Sequence, residues 1–214
     1  VRDGSVLEAK AGARVQGSHL RVAVRALVPL AMPNQTVVNV AVPEVVMGAD
    51  AALTAALRGK LKEAEIAGRF SAEATVRFLG AQPHVLGCVT VKEGMVRSGS
   101  AAVEGLAAEI PFESGVFFRT IERPFVSFTQ AKAGNVRLDQ GRLTFQLTPQ
   151  ELFVDRMEIG WCKGSLNAYS VHLDFKNPKD DFLVYADRVD LGEALMMVMP
   201  FSSLPWPSMS FPAW

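Results

Sequence analysis

The sequence has few of the residues that most often build metal and catalytic sites. Among its 214 residues there are only two cysteines and three histidines, and Lys plus Arg equals Asp plus Glu at 22 each. Two isolated cysteines have no metal-ligand spacing. A net charge of zero provides no broad electrostatic attraction to nucleic acid. Composition therefore supports neither a metal site nor a nucleic-acid partner.

Long apolar runs are also missing. The longest are ALVPLAM at residues 26–32 and ALMMVMPF at residues 194–201, far shorter than the span of about 20 residues that a transmembrane helix needs. No signal peptide is recognisable, and the first residue is Val1 rather than Met. We therefore expect a fragment, with any N-terminal anchor outside the sequence.

Common catalytic motifs are absent as well. There is no GxSxG, GxGxxG, P-loop or HExxH pattern. The histidines His19, His84 and His172 fall within predicted strands, where a polar-face position explains each without a catalytic role. The acidic pair in NPKDD at residues 177–181 is typical of a solvated turn. We predict no catalytic residue, no cofactor and no metal, and therefore no enzyme.

The two cysteines are predicted to be structural. A reactive thiol at Cys162 would need a cationic neighbour, but adjacent residues of a strand point to opposite faces, which takes Lys163 away from it. A Cys88–Cys162 disulfide would require an oxidising compartment and suitable strand geometry. The sequence leaves that pairing open.

What the sequence has in abundance is alternation of apolar and polar residues. HLRVAVRALVPL at residues 19–30 is one long strand by this pattern, followed by a turn at Pro33-Asn34 and a second strand in which Pro43 marks an edge or a bulge. Further turns are predicted at Glu93-Gly94 and, later in the chain, at Gln140-Gly141, Pro149-Gln150 and Lys163-Gly164.

Turn signals every 8–14 residues without helical spacers are typical of an antiparallel meander. Short helices are predicted only at residues 50–57 and 191–199, where Asp190 and Glu193 form a capping box. The fold class is therefore mainly β, an antiparallel, curved or groove-like sheet with one or two short helices. It occupies residues 1–200, followed by an irregular Pro, Ser and Trp-rich tail at 201–214.

The apolar face of such a sheet has two physical outcomes. It can close on another sheet as an ordinary core, or part of it can stay open as a trough for an apolar ligand. Periodicity does not separate the two, and base rates favour the closed sandwich.

Three phrases in order resemble the C-terminal region of the YdbH family, relatives of the AsmA-like and TamB-like envelope proteins. They are GCVTVKEGMVRSGSAAVEGLAAEIPFE, PFVSFTQAKAGNVRLDQGRLTFQLTPQELFVDRMEIGWCKGSL and LVYADRVDLGEALMM, within residues 87–197. The sequence departs from the family pattern at Lys163-Gly164, where the family has paired glycines. It departs again after the last helix, where the family continues with a Gly-rich strand.

The resemblance implies a segment of a bacterial envelope protein with an elongated hydrophobic β-groove. In that family the groove is thought to pass phospholipid acyl chains between the inner and outer membranes across the periplasm. It further implies an inner-membrane anchor outside this sequence, and a small envelope lipoprotein as a candidate partner. An older family label, dicarboxylate transport, fits poorly, because the sequence shows no cluster of Arg or Lys placed to hold two carboxylates.

An acyl chain costs about 0.8 kcal/mol per CH₂ to expose to water, so a continuous apolar trough needs no catalytic residue. The candidate lining consists of Ala74, Val76, Phe78, Leu143, Phe145 and Leu147. One alternative is that these lining residues pack against the C-terminal helix through Leu195, Met196 and Met199. Two other functions are also open: a non-catalytic β-scaffold of the envelope, or a hydrolase with an unrecognised site.

Overall fold

The computed structural model describes residues 6–14, 21–32, 35–48, 64–79, 82–177 and 182–198. The predicted turn at Pro33-Asn34, the predicted helix at 50–57, the turn at Lys179 to Asp181 and the tail at 201–214 lie outside these residues. The described elements are β1 (Val6–Arg14), β2 (Arg21–Pro29), β3 (Val37–Met47), β4 (Glu65–Leu79), β5 (Gln82–Ser98), β6 (Ala101–Ser114), β7 (Phe118–Thr120), β8 (Phe125–Ala133), β9 (Val136–Leu147), β10 (Glu151–Trp161), β11 (Gly164–Asp174), β12 (Tyr185–Asp187) and α1 (Leu191–Val198).

The described strands form one 12-stranded antiparallel sheet in which neighbours in space are neighbours in sequence, except that β8 follows β6. The order runs from β1 to β6 and then from β8 to β12, with β7 paired to the edge of β6 beside β8. The sheet is open, because β1 and β12 lie at its two ends. This confirms the predicted fold class of a mainly β antiparallel meander.

Several hairpin turns contain residues in the left-handed region, which glycine adopts without strain. Gly99 and Gly134 have φ of 56° and 59° in the turns before β6 and β9. Cys162 and Lys163 have φ of 48° and 62°, the signature of a two-residue type I′ turn between β10 and β11. The predicted turns at Pro149-Gln150 and near Lys163-Gly164 are confirmed.

Two other predicted turns are wrong, because a single strand passes through each of them. Glu93-Gly94 lies inside β5, where Glu93 has φ of 52° and the pairing with β6 shifts register between Val91 and Gly94. This is a β-bulge rather than a hairpin. Gln140-Gly141 lies inside β9, with Gly141 paired to Phe128 of β8.

Other local predictions hold. The register between β3 and β4 shifts between Val42 and Val45, so Pro43 lies at a bulge as expected. Helix α1 begins after Asp190, whose Oδ1 accepts a hydrogen bond from the Glu193 amide at 3.1 Å. The Asp190 carbonyl also accepts the first intrahelical bond, from Ala194 at 2.9 Å. Asp190 is therefore the N-cap.

The apolar side chains of the described residues form no second layer over the sheet. The buried core consists of two small clusters, each joining residues of neighbouring strands. One is built on Met47, Ala64 and Ile66, and the other on Val154, Ala168 and Val171. The closed sandwich favoured by base rates is therefore wrong for this part of the chain. Within the same residues, no helix has the length and apolar composition needed to cross a membrane.

Candidate functional site

The register of the strands places one uninterrupted row of apolar side chains across the sheet from β3 to β11. Directly paired residues of antiparallel strands point to the same face, so each pair extends the row by one strand. Every member is apolar, and the row runs without a gap. Its members, in order, are Val45, Phe70, Val91, Ala108, Val126, Leu143, Met157 and Ala168.

A second row extends the same face to the β1 edge. The two rows share a face because Ala74 lies four residues after Phe70 in β4, with no register shift between them. Residues at even spacings in a strand point to the same face. The second row consists of Ala11, Val24, Val40, Ala74, Gly87 and Phe112. We call the surface formed by the two rows and the residues between them the apolar face.

The opposite surface, which we call the polar face, carries the charged side chains of the same strands. In β4 the residues alternating with the apolar row are Arg69, Ser71, Glu73, Thr75 and Arg77. Polar contacts join neighbouring strands on this side. They include the ion pair from Arg25 Nε to Glu8 Oε1 at 2.7 Å and the hydrogen-bonding contacts from His84 Nε2 to Glu113 Oε1 at 3.0 Å and from His172 Nε2 to Glu151 Oε2 at 2.7 Å. The sheet is therefore amphipathic from β1 to β11.

All six sequence-predicted lining residues lie on the apolar face. Ala74, Val76 and Phe78 project from β4, where Val76 pairs with Val85 and Phe78 with Pro83. Leu143, Phe145 and Leu147 project from β9 and pair with Met157, Val154 and Leu152 of β10. The two groups are separated by β5, β6 and β8, so the structure places them on one surface without direct contact by strand pairing.

Helix α1 does not close this surface in the manner of the packing alternative. Leu195 is 50% exposed and Met196 is 61% exposed. Met196 and Met197 instead line a hollow with Lys132 and Arg137 beside the β8–β9 turn. Met199 lies outside the described residues. Phe145, by contrast, is 8% exposed, and its amide donates to the Pro124 carbonyl at 3.1 Å.

Two phenylalanine rings pack over glycines of neighbouring strands, so that they protrude little from the apolar face. A Cβ at Gly87 would come within 2.5 Å of the Phe112 ring of β6. A Cβ at Gly141 would collide with the Phe128 ring of β8. In each pair the glycine is directly opposite the phenylalanine. The ring can therefore lie flat over the neighbouring strand instead of standing up from it.

The titratable groups of the described residues do not assemble a nucleophilic site. Burial is the main cause that raises the pKa of the Cys88 and Cys162 thiols, which opposes thiolate formation. Both cysteines are free, and the Cys162 Sγ lies 3.8 Å from the Met197 Sδ. A hydrogen bond from His84, followed by one from Arg119, lowers the pKa of Glu113. No group of His, Cys, Asp and Glu within the described ranges could hold a metal ion.

Hollows on the surface are lined by charged residues rather than by the apolar rows alone. One of about 660 Å³ lies at β3 to β6 and includes Glu73, Cys88 and Glu109 beside Ala74. Another of about 340 Å³ is lined by Arg123, Arg142, Thr144, Asp155, Arg156 and Glu158. Charged and polar residues therefore make up much of the lining of both hollows.

The arginine cluster at the second hollow was missed from the sequence. Its members come from a loop and two strands, and the register shift between Val154 and Arg156 decides where Arg156 points. Simple alternation would put Arg156 on the face of Val154, but it pairs with Thr144 on the polar face. From the sequence, no cluster of Arg or Lys placed to hold two carboxylates is recognisable, whereas the structure brings three arginines to one hollow.

Comparison with known proteins gives no relative from which a function could be carried over: no family model matches the chain, and no curated protein or solved structure matches it. The resemblance to the YdbH family remains a prediction.

Proposed function

We propose that the apolar face binds phospholipid acyl chains, and that the chain is a segment of a bacterial envelope protein that transfers phospholipids between the inner and outer membranes. Ala74, Val76, Phe78, Leu143, Phe145 and Leu147 contribute to the lining. The proposed setting is the periplasm, with membrane contacts made by parts of the protein outside this sequence.

The observation that carries the proposal is the uninterrupted apolar row from β3 to β11, on a face over which the described residues form no second layer. Three members of the row, Val45, Ala108 and Ala168, are buried, and the other five are half-buried. An apolar surface that stays partly accessible is suited to an apolar ligand. Here the charged side chains of the same strands lie on the other face. Such segregation is what an acyl chain requires of the surface along which it lies.

The dimensions of the row suit sliding rather than tight binding. At the spacing of about 4.8 Å between neighbouring strands, the row from β3 to β11 spans about 34 Å. Each acyl-chain methylene that lies on the row instead of in water is stabilised by about 0.8 kcal/mol. The aliphatic members Val91, Ala108 and Val126 offer no polar group that would hold a headgroup at one position.

The proposal is tested by site-specific photocrosslinking in cells. Each probe on the apolar face is matched by a control probe at an adjacent residue of the same strand, which points to the polar face. Probes replace Val76 and Phe145 on the apolar face, and Thr75 and Gln146 on the polar face. Thr75 Oγ1 donates to Asn39 Oδ1 at 2.9 Å on that side, and Gln146 pairs with Phe153 of β10. Phospholipid adducts are expected at Val76 and Phe145 and not at Thr75 or Gln146.

Equal lipid labelling at all four positions would contradict the proposal, as would no labelling from a folded protein. Adducts to a protein at Val76 and Phe145, without lipid, would instead identify the chain as a scaffold whose partner covers the apolar face.

A further inference from the structure

Three guanidinium groups surround one hollow on the polar face. Arg123 comes from the loop before β8, Arg142 from β9 and Arg156 from β10, and the hollow has a volume of about 340 Å³. Thr144 also lines it, between the two strand arginines. Positive side chains repel one another, so their convergence has a cost that a bound anion would offset.

The two strand arginines are held in place by aromatic rings. The Arg142 guanidinium lies 4.9 Å from the centre of the Phe125 ring, and that of Arg156 lies 6.0 Å from the centre of the Tyr169 ring. Contact with an aromatic face restrains the guanidinium plane and leaves its N–H edges free to donate. Arg156 Nη2 also donates to Glu158 Oε2 at 2.9 Å.

The loop that carries Arg123 is fixed at both sides. Pro124 is fully buried, and its carbonyl accepts a hydrogen bond from the Phe145 amide. Glu122 has φ of 60°, a conformation that needs support from surrounding contacts. The Arg123 backbone is therefore positioned by packing.

Among the described residues that line the hollow, the acidic groups do not balance the arginines. Asp155 and Glu158 are the acidic groups of the lining, against three arginines. Among the described residues, Arg156 has an ion-pair partner, whereas Arg123 and Arg142 have none. The hollow therefore has a net positive charge and guanidinium edges available to a ligand.

We propose that this arginine hollow binds a phosphate group, as free phosphate, as a small phosphate monoester or as a phospholipid headgroup at a membrane surface. Guanidinium forks match the oxygen geometry of phosphate and donate two hydrogen bonds to it. The proposal is independent of lipid binding by the apolar face, because the sheet separates that face from the hollow. The arginines are largely solvated, so we expect affinity near the millimolar range.

The test is a titration of the protein with inorganic phosphate at constant ionic strength, followed by amide chemical shifts and repeated with chloride in place of phosphate. Saturable shifts centred on residues 123, 142 and 156 are expected with phosphate only. Arg123→Gln and Arg142→Gln should each weaken binding about tenfold. The matched control is Arg77→Gln, an exposed arginine of the polar face outside the hollow, which should leave binding unchanged.

Arg123→Gln keeps the test valid if Arg142→Gln unfolds the protein, because the Arg123 side chain makes no ion pair with a described residue. Vesicles containing an anionic phospholipid form a second arm. Vesicle binding that free phosphate displaces, and that Arg123→Gln weakens, would identify the headgroup as the source; phosphate binding without vesicle binding would identify the small anion. Absence of saturation by phosphate, or equal weakening by Arg77→Gln, would overturn the proposal.

Discussion

Single residues decide how smooth the apolar face is. Gly87 and Gly141 each leave room for a phenylalanine ring from the neighbouring strand to lie across them. Glycine weakens an isolated strand, but an aromatic residue opposite compensates by covering the exposed backbone. The two pairs therefore combine local stability with a level surface.

Gly141→Ala should destabilise the protein by about 1–3 kcal/mol, because the new methyl group would occupy the position of the Phe128 ring and force it to move. Urea unfolding measures the change. The matched control is Gly12→Ala in β1, where the nearest atom, the Val22 carbonyl oxygen, is 3.9 Å from the new Cβ. A loss at Gly12 as large as that at Gly141 would contradict the role of the ring.

At the scale of elements, the bulge in β5 keeps apolar residues on one face along a long strand. Val91 and Val96 both pack against the cluster built on Ile66, although five positions separate them and simple alternation would place them on opposite sides. The extra residue at Glu93 shifts the alternation by one position, so that Val91 and Val96 lie on the same face. Gly105, with φ of 63°, lies in β6 next to Leu106, which pairs with Gly94 of the bulge.

Deleting Glu93 should cost about 3 kcal/mol or more, because it would turn Val96 away from Ile66 and Met47 and leave a cavity between them. Glu93→Gly should stay within about 1 kcal/mol of the parent, since glycine adopts the positive φ without strain while an exposed ion pair to Arg69 is lost. Denaturant unfolding of both variants is the measurement. Similar stability of the two would argue against the bulge as a register device.

The same bulges explain which elements could be predicted from the sequence. Period-two alternation gave the strands and placed Leu143, Phe145 and Leu147 together, because nothing interrupts β9 between them. Glu93-Gly94 resembles a turn in its residue types, and only pairing with β6 reveals a bulge. The position of Arg156 was equally hidden, since its face depends on a register shift relative to β9.

At the scale of the whole molecule, the described strands form a single amphipathic layer, and the sequence could not establish that. The same alternation is compatible with a sandwich, because periodicity records which side is apolar and not what covers it. Val126 lies midway across the first apolar row, between Ala108 and Leu143. It separates the probe positions Val76 and Phe145 along the sheet.

Val126→Asp should interrupt lipid movement along the row, because a carboxylate in hydrocarbon surroundings costs about 2.5 kcal/mol. The ratio of phospholipid adducts at Val76 to those at Phe145 should then change at least about tenfold, measured by photocrosslinking in cells. Ser127→Asp, on the polar face of the same strand, is the control and should leave the ratio unchanged. An unchanged ratio in folded Val126→Asp would mean that lipid does not travel along this row.

The meander has a further consequence for assembly and for mechanical load. Each long strand is hydrogen-bonded only to strands adjacent or nearly adjacent in sequence, so no segment has to wait for a distant one before it can pair. Hairpins can be added in succession as the polypeptide emerges from the ribosome. Under tension applied at an edge strand, the same connectivity would let the strands detach from the sheet one after another, each rupture breaking the hydrogen bonds of a single strand pair.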